Sequence, residues 1–258
     1  MEFEHLLYNI EERIATITLN RPEKRNALND KLVIELGKAF ENAESDSRAK
    51  LVVLRANGDA FCAGADIAYL QRLARFSLEE NLEDSKRLMN LLFQVYRCSK
   101  PTVAAVQGPA LAGGCGLAAV CDFVIASRSA ATFGCTEVHL GFIPAIVMVF
   151  LLKRIGEGRA RELVVRGNVI DAETAERIGL ITEAAVDIEE RVRALVDELL
   201  SGNSGSAMAR SKEMLRGIPA MKLEEALEYA ASMNASTRLT DDCKRGLEAF
   251  IRKERVRW

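Results

Sequence analysis

The 258-residue sequence predicts an α/β fold with a helical C-terminal extension. Three observations carry that prediction. Apolar strand-like runs alternate with helical patterns through the first half of the chain, the arrangement of a parallel or mixed sheet covered by helices. From about residue 188 the strand signal stops and four consecutive segments read as helices. Hydrophobic residues make up 49% of the chain, enough to build a sizeable core.

Residues 13–19, RIATITL, alternate as a strand does, and Arg21-Pro22 starts a turn. Asn29 or Asp30 can cap a helix that carries Leu32, Leu36 and Phe40 at helical spacing. Residues 50–55, KLVVLR, read as a buried strand, followed by a glycine-rich turn at 57–66. Ser77-Leu78-Glu79-Glu80 is a capping-box pattern that opens a long helix to about Arg97. Pro101 starts another strand, TVAAV; a helix over 114–120 and a strand near Phe123–Ala126 follow. The helices of the last part cover 188–201, 206–216, 222–237 and 241–256, separated by Gly202, Asn203, Gly205 and Gly217-Ile218-Pro219. No repeat of fixed period and no low-complexity tract interrupts this order.

Composition narrows the function. Lys and Arg (35) nearly balance Asp and Glu (37), which argues against nucleic acid, because phosphate binding needs a concentrated basic surface. The local run Arg252-Lys253-Glu254-Arg255-Val256-Arg257 reads first as a solvated helix end and second as a contact for a phosphorylated small molecule. None of the six cysteines forms a CxxC or stands at metal spacing from a histidine, so they read as reduced thiols of a cytoplasmic protein, with no metal site. The N-terminal MEFEHLLYNIEER lacks the pattern of a secretory signal. The uncharged stretch 101–121 has the length of a membrane span, but Pro101, Pro109 and four glycines break it, so a strand, a turn and a buried helix explain it better.

Two glycine-rich turns follow apolar strands, Phe61-Cys62-Ala63-Gly64-Ala65-Asp66 and Leu111-Ala112-Gly113-Gly114-Cys115-Gly116. Neither is a dinucleotide or phosphate-loop motif. Taken singly, such a turn reads as close packing. Two that converged would offer backbone N–H groups to a developing oxyanion. The acid candidates are Asp66, Asp122 and Glu137. Glu137 is flanked by apolar residues, which raise a carboxyl pKa and suit proton transfer, although spacing alone equally allows a surface or capping glutamate. His139 lies two residues on and, in a strand, would share its face; a structural histidine is the simpler reading.

In this order and spacing the chain resembles the crotonase superfamily, the enoyl-CoA hydratase/isomerase family, over essentially its whole length. The matching stretches are Arg21–Leu28, Phe61–Asp66, Lys100–Gly108, Gly113–Ala118 with Cys121-Asp122, Phe133-Gly134 with Glu137, Leu140-Gly141 and Ile143-Pro144, and Thr240–Asp242 with Gly246 and Ala249-Phe250. The resemblance implies a crotonase-like spiral of ββα units over 1–200 holding the acyl-CoA site. It also implies a helical region over 201–258 that builds trimers or hexamers and completes the CoA site. It implies that the backbone N–H groups of Ala65 and Gly113 hold the thioester oxygen as it becomes an enolate. Ala63 would lie beside the adenine, and Lys24, Arg25, Phe250 and Lys253 would contact CoA, with Asp66 and Gly116 lining the substrate site. No separate cofactor is implied, since coenzyme A arrives as part of the thioester.

Two departures from the family pattern matter. Hydrating members place two glutamates about the substrate; the second falls at Glu137, whereas the first falls at Gly116, which has no side chain. One carboxylate suffices to move a proton from C2 to C4 of a 3-enoyl-CoA, so the pattern resembles the family's isomerases. After Pro144, where hydratases commonly run Gly-rich to Thr-Gln-Arg, this chain reads AIVMVFLL. Other readings stay open: hydration by Glu137 with a second group, such as His139 or Glu79, Glu80, Glu83 or Asp84 from the unplaced segment 67–86; a dehalogenase, decarboxylase or thioester hydrolase; and a non-catalytic acyl-CoA-binding homologue.

Overall fold

The computed structural model describes residues 3–256 and 258, and Arg257 of the basic run lies outside the described residues. The chain divides into two compact units, Met1–Cys98 with Thr102–Val192, and Ser99–Pro101 with Arg193–Trp258.

The first unit is built on a six-stranded sheet. Its strands are β1 (Leu6–Glu11), β2 (Ile14–Leu19), β3 (Leu51–Ala56), β4 (Thr102–Val106), β6 (Phe123–Ser127) and β9 (Glu183–Ala185), adjacent in that order. β1 and β2 form an antiparallel hairpin, and every later neighbour is parallel. The central strands read as continuous apolar runs because helices cover them: all five residues of β4 are buried. A second, three-stranded sheet joins β5 (Ala110–Leu111), β7 (Thr132–Gly134) and β8 (Val169–Asp171).

The helices begin where the sequence offers caps. Asn29 Oδ1 accepts from Leu32 N at 2.8 Å and opens α1 (Asp30–Ser45), which buries Leu32, Leu36, Ala39, Phe40 and Ala43 on one face. Ser77 and Glu80 form the full capping box at the start of α3 (Leu78–Arg97). Between them, α2 (Ile67–Leu73) starts at Asp66. α4 (Gly113–Ala119) is buried along its whole length and packs on α5 (Ala145–Arg166), which kinks at Gly156 (φ 72°). α6 (Ala172–Arg177) precedes β9.

α7 (Ile188–Gly202) runs across the boundary into the second unit. That unit holds α8 (Gly205–Gly217), α9 (Leu223–Thr237) and α10 (Asp241–Arg252). The last helix stops four residues short of the expected 256, because Lys253 takes the left-handed conformation (φ 59°) and closes the helix with its N–H on Ala249 and Phe250. No helix among the described residues is long and apolar enough to cross a membrane. Residues 101–121 instead form β4, β5 and α4 with their turns.

Candidate active site

Three short extended segments lie side by side: Cys62, β5 and β7. Cys62 bridges Ala110 in parallel, and β5 pairs β7 in parallel, Ala110 with Phe133 and Leu111 with Gly134. Leu111 N–H donates to Cys62 O at 2.9 Å, and Ala112 N–H to Gly134 O at 2.7 Å. Gly114 makes this approach possible, since a Cβ there would stand 2.3 Å from Cys62 O. Parallel segments end at one edge. Ala65 and Gly113 each stand three residues beyond the paired Cys62 and Ala110, and Glu137 stands four beyond Phe133, their partner in β7. Neighbouring strands lie about 4.8 Å apart, so the three segments leave the sheet along one short edge. The two glycine-rich turns therefore converge, with Glu137 on the third segment.

The N–H groups of Ala65 and Gly113 are left open among the described residues. Leu28 N–H donates to Gly64 O at 2.7 Å and Asp66 N–H to Leu28 O at 2.8 Å, so the groups on either side of Ala65 face Leu28 and those of Ala65 itself face away. Ala65 is exposed, and its N–H has no acceptor among the described residues. Gly113 begins α4, where the N–H groups of a first turn have no partner within the helix. The residue before it, Ala112, stands at φ 51° and ψ −121°, a conformation an L side chain rarely adopts. Such strain, of order 1–3 kcal/mol, clusters at functional sites, and here it turns the 112–113 peptide at the shared edge.

Asp66 and Arg21 hold the Ala65 turn in place. The Asp66 carboxylate accepts from Ala68 N at 2.9 Å and pairs with Arg21 Nη2 at 3.0 Å. Burial pushes its pKa up, but the Arg21 guanidinium and the helix N–H groups outweigh burial and hold it below the ordinary carboxylate value. Asn26, fully buried, donates to Asn57 O and Ala60 O at 2.8 Å each. Lys24 and Arg25 are exposed beside this turn, and Ala63 N–H donates to Arg25 O at 3.1 Å. Phe250 and Lys253 belong to the second unit, at the end of α10, where Phe250 is 81% exposed.

Glu137 sits in a 3-10 turn, Thr136–Leu140, which Gly141 closes in the left-handed conformation. One carboxylate oxygen, Oε2, is buried and has no hydrogen-bond partner among the described residues. Burial raises the Glu137 pKa above 4.5, partly offset by a backbone N–H. His139 does not share its face as in a strand. The 3-10 turn carries it to the surface, 3.3 Å from Arg166 O. The segment 67–86 forms α2 and the start of α3, where Asp84 accepts from the Tyr69 hydroxyl and stands 4.0 Å from Arg87.

Gly116 lies within α4 and is fully walled. A Cβ there would fall 2.6 Å from Val147 Cγ2 and 3.3 Å from Leu92 Cδ1. The missing side chain leaves no hole, because valine and leucine carbon occupies its place. One more residue went unnoticed in the sequence. Arg154, on α5, donates to Ala119 O at 3.0 Å, Cys121 O at 2.7 Å and Leu180 O at 2.6 Å. A lone arginine in a helix carries no signal for such a role. No group of His, Cys, Asp and Glu able to hold a metal occurs among the described residues.

Residues 9–258 match the model of the family described as enoyl-CoA hydratase/isomerase. A Thermus thermophilus protein that carries an enoyl-CoA hydratase name is 40% identical over 247 residues, 95% of this chain and 97% of that one. The crotonyl-CoA hydratase of Syntrophomonas wolfei is 34% identical over 261 residues, covering 99% and 98%. An enoyl-CoA hydratase crystal structure from Shewanella pealeana superposes with a TM-score of 0.95 at 29% identity, covering 100% and 97%.

Proposed function

The chain belongs to the enoyl-CoA hydratase/isomerase family, and we propose that it shifts the double bond of an enoyl-CoA with Glu137 as its single acid and base. The observation that carries this reading is the contrast between Glu137, a buried carboxylate oxygen without a partner, and Gly116, packed against Val147 and Leu92. Glu137 takes a proton from C2 of a 3-enoyl-CoA. The electrons of that C–H bond form the enolate, whose oxygen is held by Ala65 and Gly113 N–H. The same proton returns at C4 and the double bond ends between C2 and C3. Donors aimed at charge that appears only in the transition state lower the barrier rather than merely tightening binding. Coenzyme A enters as part of the substrate and no other cofactor takes part. Lys24, Arg25, Ala63, Phe250 and Lys253 are read as its contacts.

Hydration is the second reading, favoured by the hydratase names of the relatives. It requires another group to do what Gly116 cannot. The assembly is read as a trimer or hexamer; Leu247, Phe250 and Ile251 of α10, exposed in the single chain, fit that reading. The setting is read as cytoplasmic, since all six cysteines are thiols.

The test is product analysis by mass and absorbance. A 3-enoyl-CoA should become conjugated without a change in mass, and a 2-enoyl-CoA should gain no water. Ready gain of 18 mass units, about one water, would overturn the single-carboxylate reading. CoA-thioester binding without any turnover would mark a binding protein.

A further inference from the structure

The two ends of α4 are treated differently. Its first residue, Gly113, supplies one of the proposed oxyanion donors. Its last turn ends against Arg154, a cation with no carboxylate within 4.0 Å among the described residues. The carbonyls at this end are accounted for one by one. Gly116 O accepts from Val120 N–H at 3.1 Å, Ala118 O from Cys121 N–H at 3.1 Å and Leu117 O from the Cys121 thiol at 3.5 Å. Ala119 O and Cys121 O take Arg154 Nη1. The same guanidinium reaches Leu180 O through Nε at 2.6 Å, tying α4 to the segment before β9. Burial pushes the Arg154 pKa down, only partly offset by Cys121, Asp122 and Cys115 acting through space. Asp122 itself accepts from Thr102 N and Oγ1 at 2.7 and 2.9 Å.

We infer that Arg154 is a positioning residue for the oxyanion site: its guanidinium locks the far end of α4 and sets a fixed positive charge behind the Gly113 donor. This rests on the enolate reading given above. Two parts of the argument act together. A helix buried along its whole length cannot use water to satisfy its last carbonyls, so the group that does so also fixes where the helix stands. A cation at that end cancels the negative pole of the helix dipole, which would otherwise oppose an anion at the other end. The seven residues of α4 at 1.5 Å rise span about 10 Å, and a hydrogen bond of about 3 Å beyond Gly113 puts the charge about 13 Å from the oxyanion; through an effective dielectric near 20 that separation changes enolate stability about tenfold. Arginine suits the position because its planar fork serves several carbonyls at once and it stays charged despite burial.

The test uses the full-length protein with acetoacetyl-CoA, whose enolate absorbs in the near ultraviolet. Arg154→Lys keeps the charge, while Arg154→Gln keeps hydrogen bonding without it. The apparent pKa of the bound ligand should rise by about one unit in Arg154→Gln, tenfold less enolate at fixed pH, and stay within about threefold in Arg154→Lys. Turnover of a 3-enoyl-CoA should follow, with kcat lowered and KM unchanged. Equal enolate in both variants, whether at the wild-type level or equally reduced, would overturn the proposal. So would a chain that folds only with Arg or Lys at 154, which assigns the residue to folding alone. Absence of an enolate band in the wild-type protein would instead remove the enolate reading itself.

Discussion

Glu137 and Gly116 fall where the resemblance places the two glutamates of hydrating family members, and here they are opposites. Glu137 stands on a short 3-10 turn, with a desolvated oxygen and exposed Leu140, Phe142 and Ile143 in the residues after it. Gly116 lies inside a helix buried along its whole length, with Val147 and Leu92 in the space of its missing side chain. The difference teaches that losing a carboxylate is more than a deletion. An empty site would admit water, whereas hydrocarbon at van der Waals distance keeps it out. On the proposed reading, proton chemistry is thereby confined to the Glu137 side, and water has no carboxylate to hold it on the other.

The strongest way to break the comparison is Glu137→Gln. Removing a general acid–base group costs about 10²–10⁴ in rate, so kcat on a 3-enoyl-CoA should fall by that factor while calorimetric CoA-thioester affinity stays within about twofold. Retained turnover would move the chemistry elsewhere. Next comes Gly116→Glu, alone and with Val147→Ala. The single variant overpacks a filled site and should lose about 1–3 kcal/mol in urea unfolding, without adding water to a 2-enoyl-CoA. Trimming Val147 as well should restore part of the stability and produce hydration. Water addition by the single variant would show that Val147 is no barrier.

Much of the first unit was legible in the sequence because its signals are local. The Asn29 cap, the Ser77–Glu80 capping box and the uniformly apolar TVAAV run each specify an element without distant contacts. The short strands β5, β7 and β8 gave no pattern, since two or three residues cannot display a period. Yet their pairing brings Ala65, Gly113 and Glu137 to one edge. The candidates could be named from residue type and resemblance, but their convergence depends on parallel register between segments 48 and 23 residues apart, Cys62 with Ala110 and Leu111 with Gly134. His139 shows the same limit: strand spacing put it beside Glu137, and a 3-10 turn put it outside.

A smaller effect is expected at the Ala65 turn. Asp66→Asn keeps the helix cap but removes the charge facing Arg21, both side chains being about 10% exposed, at 12% and 10%. Breaking a largely buried pair this way should lower stability by about 2–3 kcal/mol, short of the full range for a deeply buried one. If Ala65 donates to the oxyanion, kcat should fall as well, perceptibly more than KM changes; an equal loss in both would separate the turn from the chemistry.

The smallest effect is a stability gap that opens as pH rises. Burial raises the Glu137 pKa in the folded protein above its unfolded value, so the folded state binds this proton more tightly. Ionising Glu137 therefore works against folding. Stability from this group is complete below the unfolded pKa and declines as pH rises through the raised folded value. Glutamine, which never ionises, escapes that decline. Glu137→Gln should thus melt at a higher temperature than the wild type at pH 8, and the gap should close near pH 4, where both side chains are neutral. The acid limb of kcat/KM in the wild type should also lie above the ordinary glutamate value, since the base must be ionised to take the C2 proton. Gly116→Glu offers the sharpest contrast. Its new carboxyl, set against Val147 and Leu92, should lose more stability between pH 4 and pH 8 than Glu137 does, because fewer polar groups surround it. Equal pH-dependent losses for the two carboxyls, Gly116→Glu measured against the wild type and the wild type against Glu137→Gln, would show that the two sides are electrostatically alike after all.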